Sequence, residues 1–206
     1  MGLLGGEPLI CPNILEYIDL LTEKVGCQIT LATNGLLIDD NMIKFFRNHK
    51  KLKLQISLES SIEKEHDFYR GEGTFKNTIA IIKKLVKNNL APVIRMTVSN
   101  INFNNIHNFV DLGKELKVYG VSINKYTSDT KHPSKLLSHI TPIEHHIFLN
   151  TILELKKAYG DEFILTEDPC FNDINKKSIK KEFFDELAED LIVGGCSADI
   201  KYYHKQ

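Results

Sequence analysis

No charge of one sign dominates this sequence: 26 Lys and Arg stand against 27 Asp and Glu in 206 residues, a formal net charge of -1. That balance offers no basis for a nucleic-acid or anionic-membrane partner. No apolar run approaches the span of a bilayer, and the N-terminus lacks a charged segment followed by a long apolar stretch, which reads as a cytoplasmic protein. Cysteine is scarce: Cys11, Cys27, Cys170 and Cys196 are too scattered for a disulfide framework or a zinc ribbon. Low-complexity segments are missing too. What is present is ordinary for a globular chain, 42% hydrophobic and 26% charged residues, at a length that suits one large α/β domain.

The apolar pattern alternates between strand and helix. Leu3-Leu4 reads as a short strand, followed by a helix from Asn13 to Lys24 with Ile14, Leu15, Ile18 and Leu21 at helical spacing. Gln28 to Ala32 is the next strand, and Thr33-Asn34-Gly35 its turn. Asp39 caps a helix through Arg47; Leu52 to Leu58 is a strand; Glu59 to Gly73 reads as a polar loop; and Thr74 caps an amphipathic helix with Ile79, Ile82, Leu85 and Val86 on one face. The strand Val93 to Val98, a helix from Asn104 to Lys117 and the strand Val121 to Asn124 follow. Thr141-Pro142 with Glu144 spells a capping box for a helix running to about Tyr159. A short strand at Phe163 to Thr166 and a helix from Ser178 to Asp190 complete the pattern. Such alternation predicts a parallel sheet with helices outside, and ligands at the C-terminal ends of its strands. The unusual side chains gather at those ends: Gly5 to Pro8, Thr33 to Gly35, Ser57 to Ser60, Arg95 to Thr97 and Asn124-Lys125.

Five stretches, in order, carry a resemblance. GGEPLI opens the chain and LATNGLLID follows; QISLESSIEKEHDFYRGEGTFKNTI pairs a strand ending Ser-Leu-Glu with a His-Asp, an Arg and a Gly-Thr-Phe helix start; IRMTVSNINFNNI and LIVGGCSADI come last. Together they resemble radical S-adenosylmethionine (radical SAM) enzymes with the C-terminal extension called SPASM. The resemblance implies an α/β fold, a partial TIM-like (βα)6 barrel over 1-190, and the start of an auxiliary-cluster extension over 191-206. It also implies that Gly5, Gly6, Glu7 and Pro8 shape the turn that meets the ammonium of S-adenosylmethionine, and that Ser57 and Arg70 hold its carboxylate. Cys196 matches a ligand of an auxiliary cluster. Asn34 reads as turn chemistry, and His66 and Asp67 as the residues that fix the loop before Arg70. His145 and His146, adjacent on a helix, diverge too far to share a metal.

The chemistry implied is reductive cleavage of S-adenosylmethionine at a [4Fe–4S] cluster, giving a 5′-deoxyadenosyl radical that modifies a peptide or protein, with a ferredoxin or flavodoxin as electron donor. One departure stands against it. The CxxxCxxC thiolates that hold the cluster in this family are not found in this sequence. The expectation is therefore a barrel lacking its first βα unit, incomplete and inactive alone. The alternatives are a non-catalytic remnant or split-gene piece, a module that pairs with a polypeptide supplying the cluster, and a cluster-free barrel enzyme such as an aldolase.

Overall fold

The computed structural model describes residues 1–127 and 140–166. The expected helix from Ser178 to Asp190, the auxiliary-cluster Cys196 and the boundary at 190 lie outside the described residues. Six strands form one sheet: β1 (Gly2–Leu3), β2 (Ile29–Thr33), β3 (Leu52–Ser57), β4 (Val93–Val98), β5 (Gly120–Lys125) and β6 (Ile164–Leu165). Each pairs with the next in chain order, and every pair is parallel. The helices are α1 (Ile14–Asp19), α2 (Asp40–Asn48), α3 (Glu63–Arg70), α4 (Thr74–Lys87), α5 (Ile106–Glu115) and α6 (Pro142–Tyr159). Parallel neighbours in sequence order need crossovers of one hand, which put the connecting helices on one face.

The strands show which face that is. Ile29 and Leu31, Ile94, Met96 and Val98, and Val121 and Ile123 alternate along their strands and are buried with Phe46, Ile82, Leu85, Phe109, Phe148 and Ile152 from the helices. The intervening positions are Thr30 and Ala32, Gln55 and Ser57, Arg95 and Thr97, Ser122 and Asn124. Because successive side chains of a strand leave opposite faces, these residues share the other, polar face. Register sets them side by side: Ser57 pairs with Arg95, Arg95 with Ser122, and Thr97 with Asn124. Among the described residues no helix is long and apolar enough to cross a membrane.

Two expectations need correction. Residues 59–73 are not a loop throughout; α3 occupies most of the stretch. It escaped the apolar pattern because its one buried residue is His66, while Phe68 is half exposed, so polar contacts hold it in place of an apolar stripe. Thr74 is not the cap of α4. Gly73 takes that position with a left-handed backbone, φ 76°, which an L side chain rarely adopts. The capping acceptor comes from another helix: Asp67 accepts from Gly73 N at 2.7 Å and Phe75 N at 2.8 Å. Elsewhere the boundaries shift little. The first helix ends its α turn at Asp19 and continues as a π turn over Leu20–Lys24, and the helix expected from Asn104 opens as a tight turn, Phe103–Asn105, before α5. The capping box at Thr141 forms as read, with Thr141 N donating to Glu144 Oε2 at 2.7 Å and Glu144 N to Thr141 Oγ1 at 3.2 Å.

Helix α5 presses closely on the sheet at Gly113, where an added Cβ would stand 2.7 Å from Val121 Cγ2. Alanine is the better helix former by about 1 kcal/mol, but overpacking a filled core costs about 1 to 3 kcal/mol, and Val121 is a fully buried, β-branched strand residue. Gly113→Ala is expected to lower the urea-unfolding midpoint, and Val121→Ala in the same chain to recover part of the loss relative to the sum of the two single changes.

Candidate functional site

The strands deliver a cleft to their C-terminal ends. About 280 Å³ in volume, it is lined by Leu4, Gly5, Gly6 and Glu7 after β1, by Ala32 to Asn34, by Ser57, by Arg95 and Thr97, and by Arg70 from the end of α3. Sequence reasoning singled out Gly5, Gly6, Glu7, Ser57 and Arg70, and the structure brings all five to this cleft. Pro8 is not among its lining residues. It opens the turn Pro8–Ile10 instead, where its missing N–H is harmless.

The turn after β1 is built by division of labour. Gly5 sits at φ 141°, a conformation open to glycine, and a Cβ on either Gly5 or Gly6 would meet nothing within 4 Å. The backbone is thus bare toward the cleft. Glu7 works in the opposite direction. Its Oε1 accepts from Leu9 N at 3.1 Å and from the Thr33 hydroxyl, and its Oε2 accepts from Asn34 N at 2.8 Å. The carboxylate fastens the glycine turn to the end of β2. Asn34 in turn accepts from Leu36 N at 2.9 Å, the turn role expected of it.

Across the cleft the organising group is Glu59, two residues beyond Ser57. Its side chain is 3% exposed. Oε1 accepts from Arg70 Nε at 3.0 Å and from Arg70 Nη2; Oε2 accepts from Thr97 N at 2.9 Å; its own N–H donates to His66 Nδ1 at 3.1 Å; and its carbonyl accepts from Asn102 Nδ2 at 2.7 Å. Arg70 is thereby held by one edge of its guanidinium. Its side chain remains 38% exposed, and within the described residues Nη1 donates to nothing. The Ser57 hydroxyl likewise has no partner there. The cleft thus has two polar donors without partners among the described residues and a stretch of bare backbone, groups able to hydrogen-bond a polar ligand. Glu59, Arg95 and Thr97 fall in stretches read as lying at the ligand-binding strand ends, but sequence reasoning gave them no role of their own. The Ser-Leu-Glu string held the signal for Glu59, since a carboxylate two positions past a strand-end serine follows the strand out to the same mouth.

His66 and Asp67 were expected to fix a loop before Arg70; both lie in α3 instead, where His66 accepts from the backbone of Glu59 and Asp67 closes the N-terminus of α4. Burial lowers the pKa of His66; the Glu59 carboxylate opposes that, the Arg70 charge adds to it, and Asp67 opposes it. With Nδ1 accepting from Glu59 N, the neutral ring carries its proton on Nε2, which is buried without an acceptor among the described residues. For Asp67, burial works to raise the pKa, but hydrogen bonds from Phe75, Gly73 and Thr74 and the nearby His66 outweigh it, and the carboxyl ends below its usual value.

Among the described residues no three His, Cys, Asp or Glu side chains gather into a metal site, and the free thiols there, Cys11 and Cys27, are half-buried. The donors among the described residues therefore do not fit an iron–sulfur cluster.

A family model described as Radical SAM superfamily matches residues 1–116. An AdoMet-dependent heme synthase of Methanosarcina barkeri is 28% identical over 181 residues, 87% of this chain and 51% of that protein. The antilisterial bacteriocin subtilosin biosynthesis protein AlbA of Bacillus subtilis is 29% identical over 138 residues, 64% of this chain and 31% of that protein. This chain thus spans about half or less of the length of these relatives. In fold it resembles Streptococcus suis SuiB bound to precursor peptide SuiA, with a TM-score of 0.67 and 18% identity over 90% of this chain and 43% of that one.

The site yields two expectations. A folded-state His66 pKa below the unfolded value of about 6.5 means that the unfolded chain binds the extra proton first. The contribution is full above that value and is lost as pH falls through it toward the lowered folded value. Urea midpoints from pH 8 to pH 5 should therefore fall more steeply for the wild type than for His66→Gln. Reconstitution with iron and sulfide under anaerobic conditions should load the same iron per chain in Cys11→Ala and Cys27→Ala as in the wild type.

Proposed function

The chain belongs to the radical SAM superfamily, and from that premise we propose that its cleft binds S-adenosylmethionine. Gly5 to Pro8 shape the turn that meets the cofactor's ammonium through backbone carbonyls; Ser57 and Arg70 hold its carboxylate. One observation carries the reading: Ser57 and Arg70, whose hydroxyl and Nη1 have no partners within the described residues, line the same cleft as the bare Gly5-Gly6 turn. The donor set fits the amino-acid end of the cofactor. In the superfamily, S-adenosylmethionine supplies a 5′-deoxyadenosyl radical for hydrogen abstraction. The described residues do not fit the [4Fe–4S] cluster which that chemistry uses, so their role is to bind and orient the cofactor.

A peptide or protein is the proposed substrate class. Support comes from AlbA, which belongs to the biosynthesis of a bacteriocin, and from SuiB, seen with a precursor peptide. A second reading, a heme precursor, rests on the match to the heme synthase, which extends over most of this chain. An electron donor such as ferredoxin or flavodoxin belongs to the whole-enzyme reading.

Titration calorimetry tests the cofactor site. A hydrogen bond to a charged group contributes roughly 1.5 to 3 kcal/mol, so Ser57→Ala and Arg70→Lys should each weaken S-adenosylmethionine binding by about tenfold or more. Lysine is chosen because it leaves a cation beside Glu59 while removing the planar fork. Equal affinity in all three proteins would overturn the assignment of these two residues.

A further inference from the structure

We infer that Glu59 is a positioning residue for ligand binding: it selects which edge of the Arg70 guanidinium faces the cleft. The inference rests on the cofactor reading above and deepens it. A guanidinium has two edges able to grip a carboxylate side-on, one formed by Nε with an Nη and one by the two Nη groups. In this protein the Nε and Nη2 groups both donate to the single oxygen Oε1 of Glu59. That edge is spent, and the other edge, formed by Nη1 and the second N–H of Nη2, is what remains for a ligand at the cleft.

The choice is rigid because Glu59 cannot turn. Its second oxygen is occupied by Thr97 N from β4, its N–H by His66 on α3, and its carbonyl by Asn102 beyond β4. A freely rotating arginine would present either edge and lose side-chain entropy on binding. One clamped from behind has that ordering in place beforehand. Neutralisation matters as well: with Glu59 behind it, Arg70 adds little net charge to the cleft, so recognition depends on the direction of its N–H groups more than on bulk attraction. Glu59 itself is buried and is not among the residues lining the cleft, so its effect on a ligand passes through Arg70.

The test compares two ligands that share an adenosine and differ in the amino-acid end: S-adenosylmethionine and 5′-methylthioadenosine. Titrations of the full chain are expected to show about tenfold weaker S-adenosylmethionine binding for Glu59→Gln, which keeps an acceptor and loses the charge, with unchanged affinity for 5′-methylthioadenosine. Glu59→Asp keeps the charge and shortens the reach, and should show the same split if the glutamine variant does not fold. Adding Arg70→Lys to either variant should cause little further loss, because the two residues act as one unit. Unchanged S-adenosylmethionine affinity in the folded variant, or equal losses for both ligands, would overturn the positioning role while leaving the cofactor reading intact. A wild-type chain that takes up neither ligand would overturn the cofactor reading and this inference with it.

Discussion

A carboxylate buried at the end of β3 is the constraint on which the polar half of this structure depends. Taking an ion out of water costs several kcal/mol unless partners replace the hydration. Glu59 recovers it from the Arg70 guanidinium and from a backbone N–H of the neighbouring strand. Each partner belongs to a different element, so satisfying one charge ties the exits of β3 and β4 to the last residue of α3. That tie matters most for α3, which has a single buried side chain, His66, and little apolar surface to dock with. The restraint passes on through Asp67, which closes the N-terminus of α4. A short polar helix is thus placed between two core elements by hydrogen bonds, and its final residue is delivered to the cleft.

The opposite wall uses the same device in smaller form. Glu7 stabilises the glycine turn by accepting from the end of β2, which leaves the backbone of Gly5 and Gly6 uncovered. In both walls an acidic side chain is committed to architecture so that a neighbouring group stays available. The sheet makes this possible through its period-two alternation. Helices cover one face with Ile, Leu, Val and Phe, and the other face keeps Ser57, Arg95, Ser122, Thr97 and Asn124 in adjoining registers. A parallel sheet whose polar face opens at its C-terminal strand ends concentrates dipoles and donors at one mouth.

Much of this was legible before any coordinates. Alternating apolar runs with turn signals gave the six strands, and the Thr141 capping box placed the start of α6. Local chemistry writes such features, because a cap or an alternation is decided within a few residues. The convergence of Gly5, Gly6, Glu7 and Ser57 was legible because parallel topology sends every strand end to one mouth, and that of Arg70, at the end of α3, through the resemblance alone. Helix α3 was not, because its stabilising partners lie on other elements and leave no periodic apolar stripe in its own sequence.

What the sequence determined by itself, then, was the parallel sheet with its outer helices and the strand ends at which the unusual side chains gather, for these follow from periodicity and from the alternation of strand and helix. Only the tertiary structure decided what the acidic residues do. Glu7 and Glu59 each read in sequence as part of a motif, with no sign of whether they face ligand or protein. Their roles depend on donors more than 25 positions away, Asn34 N at a separation of 27 and Thr97 N at 38, and a hydrogen bond of that reach exists only once parallel pairing has brought the strand ends together.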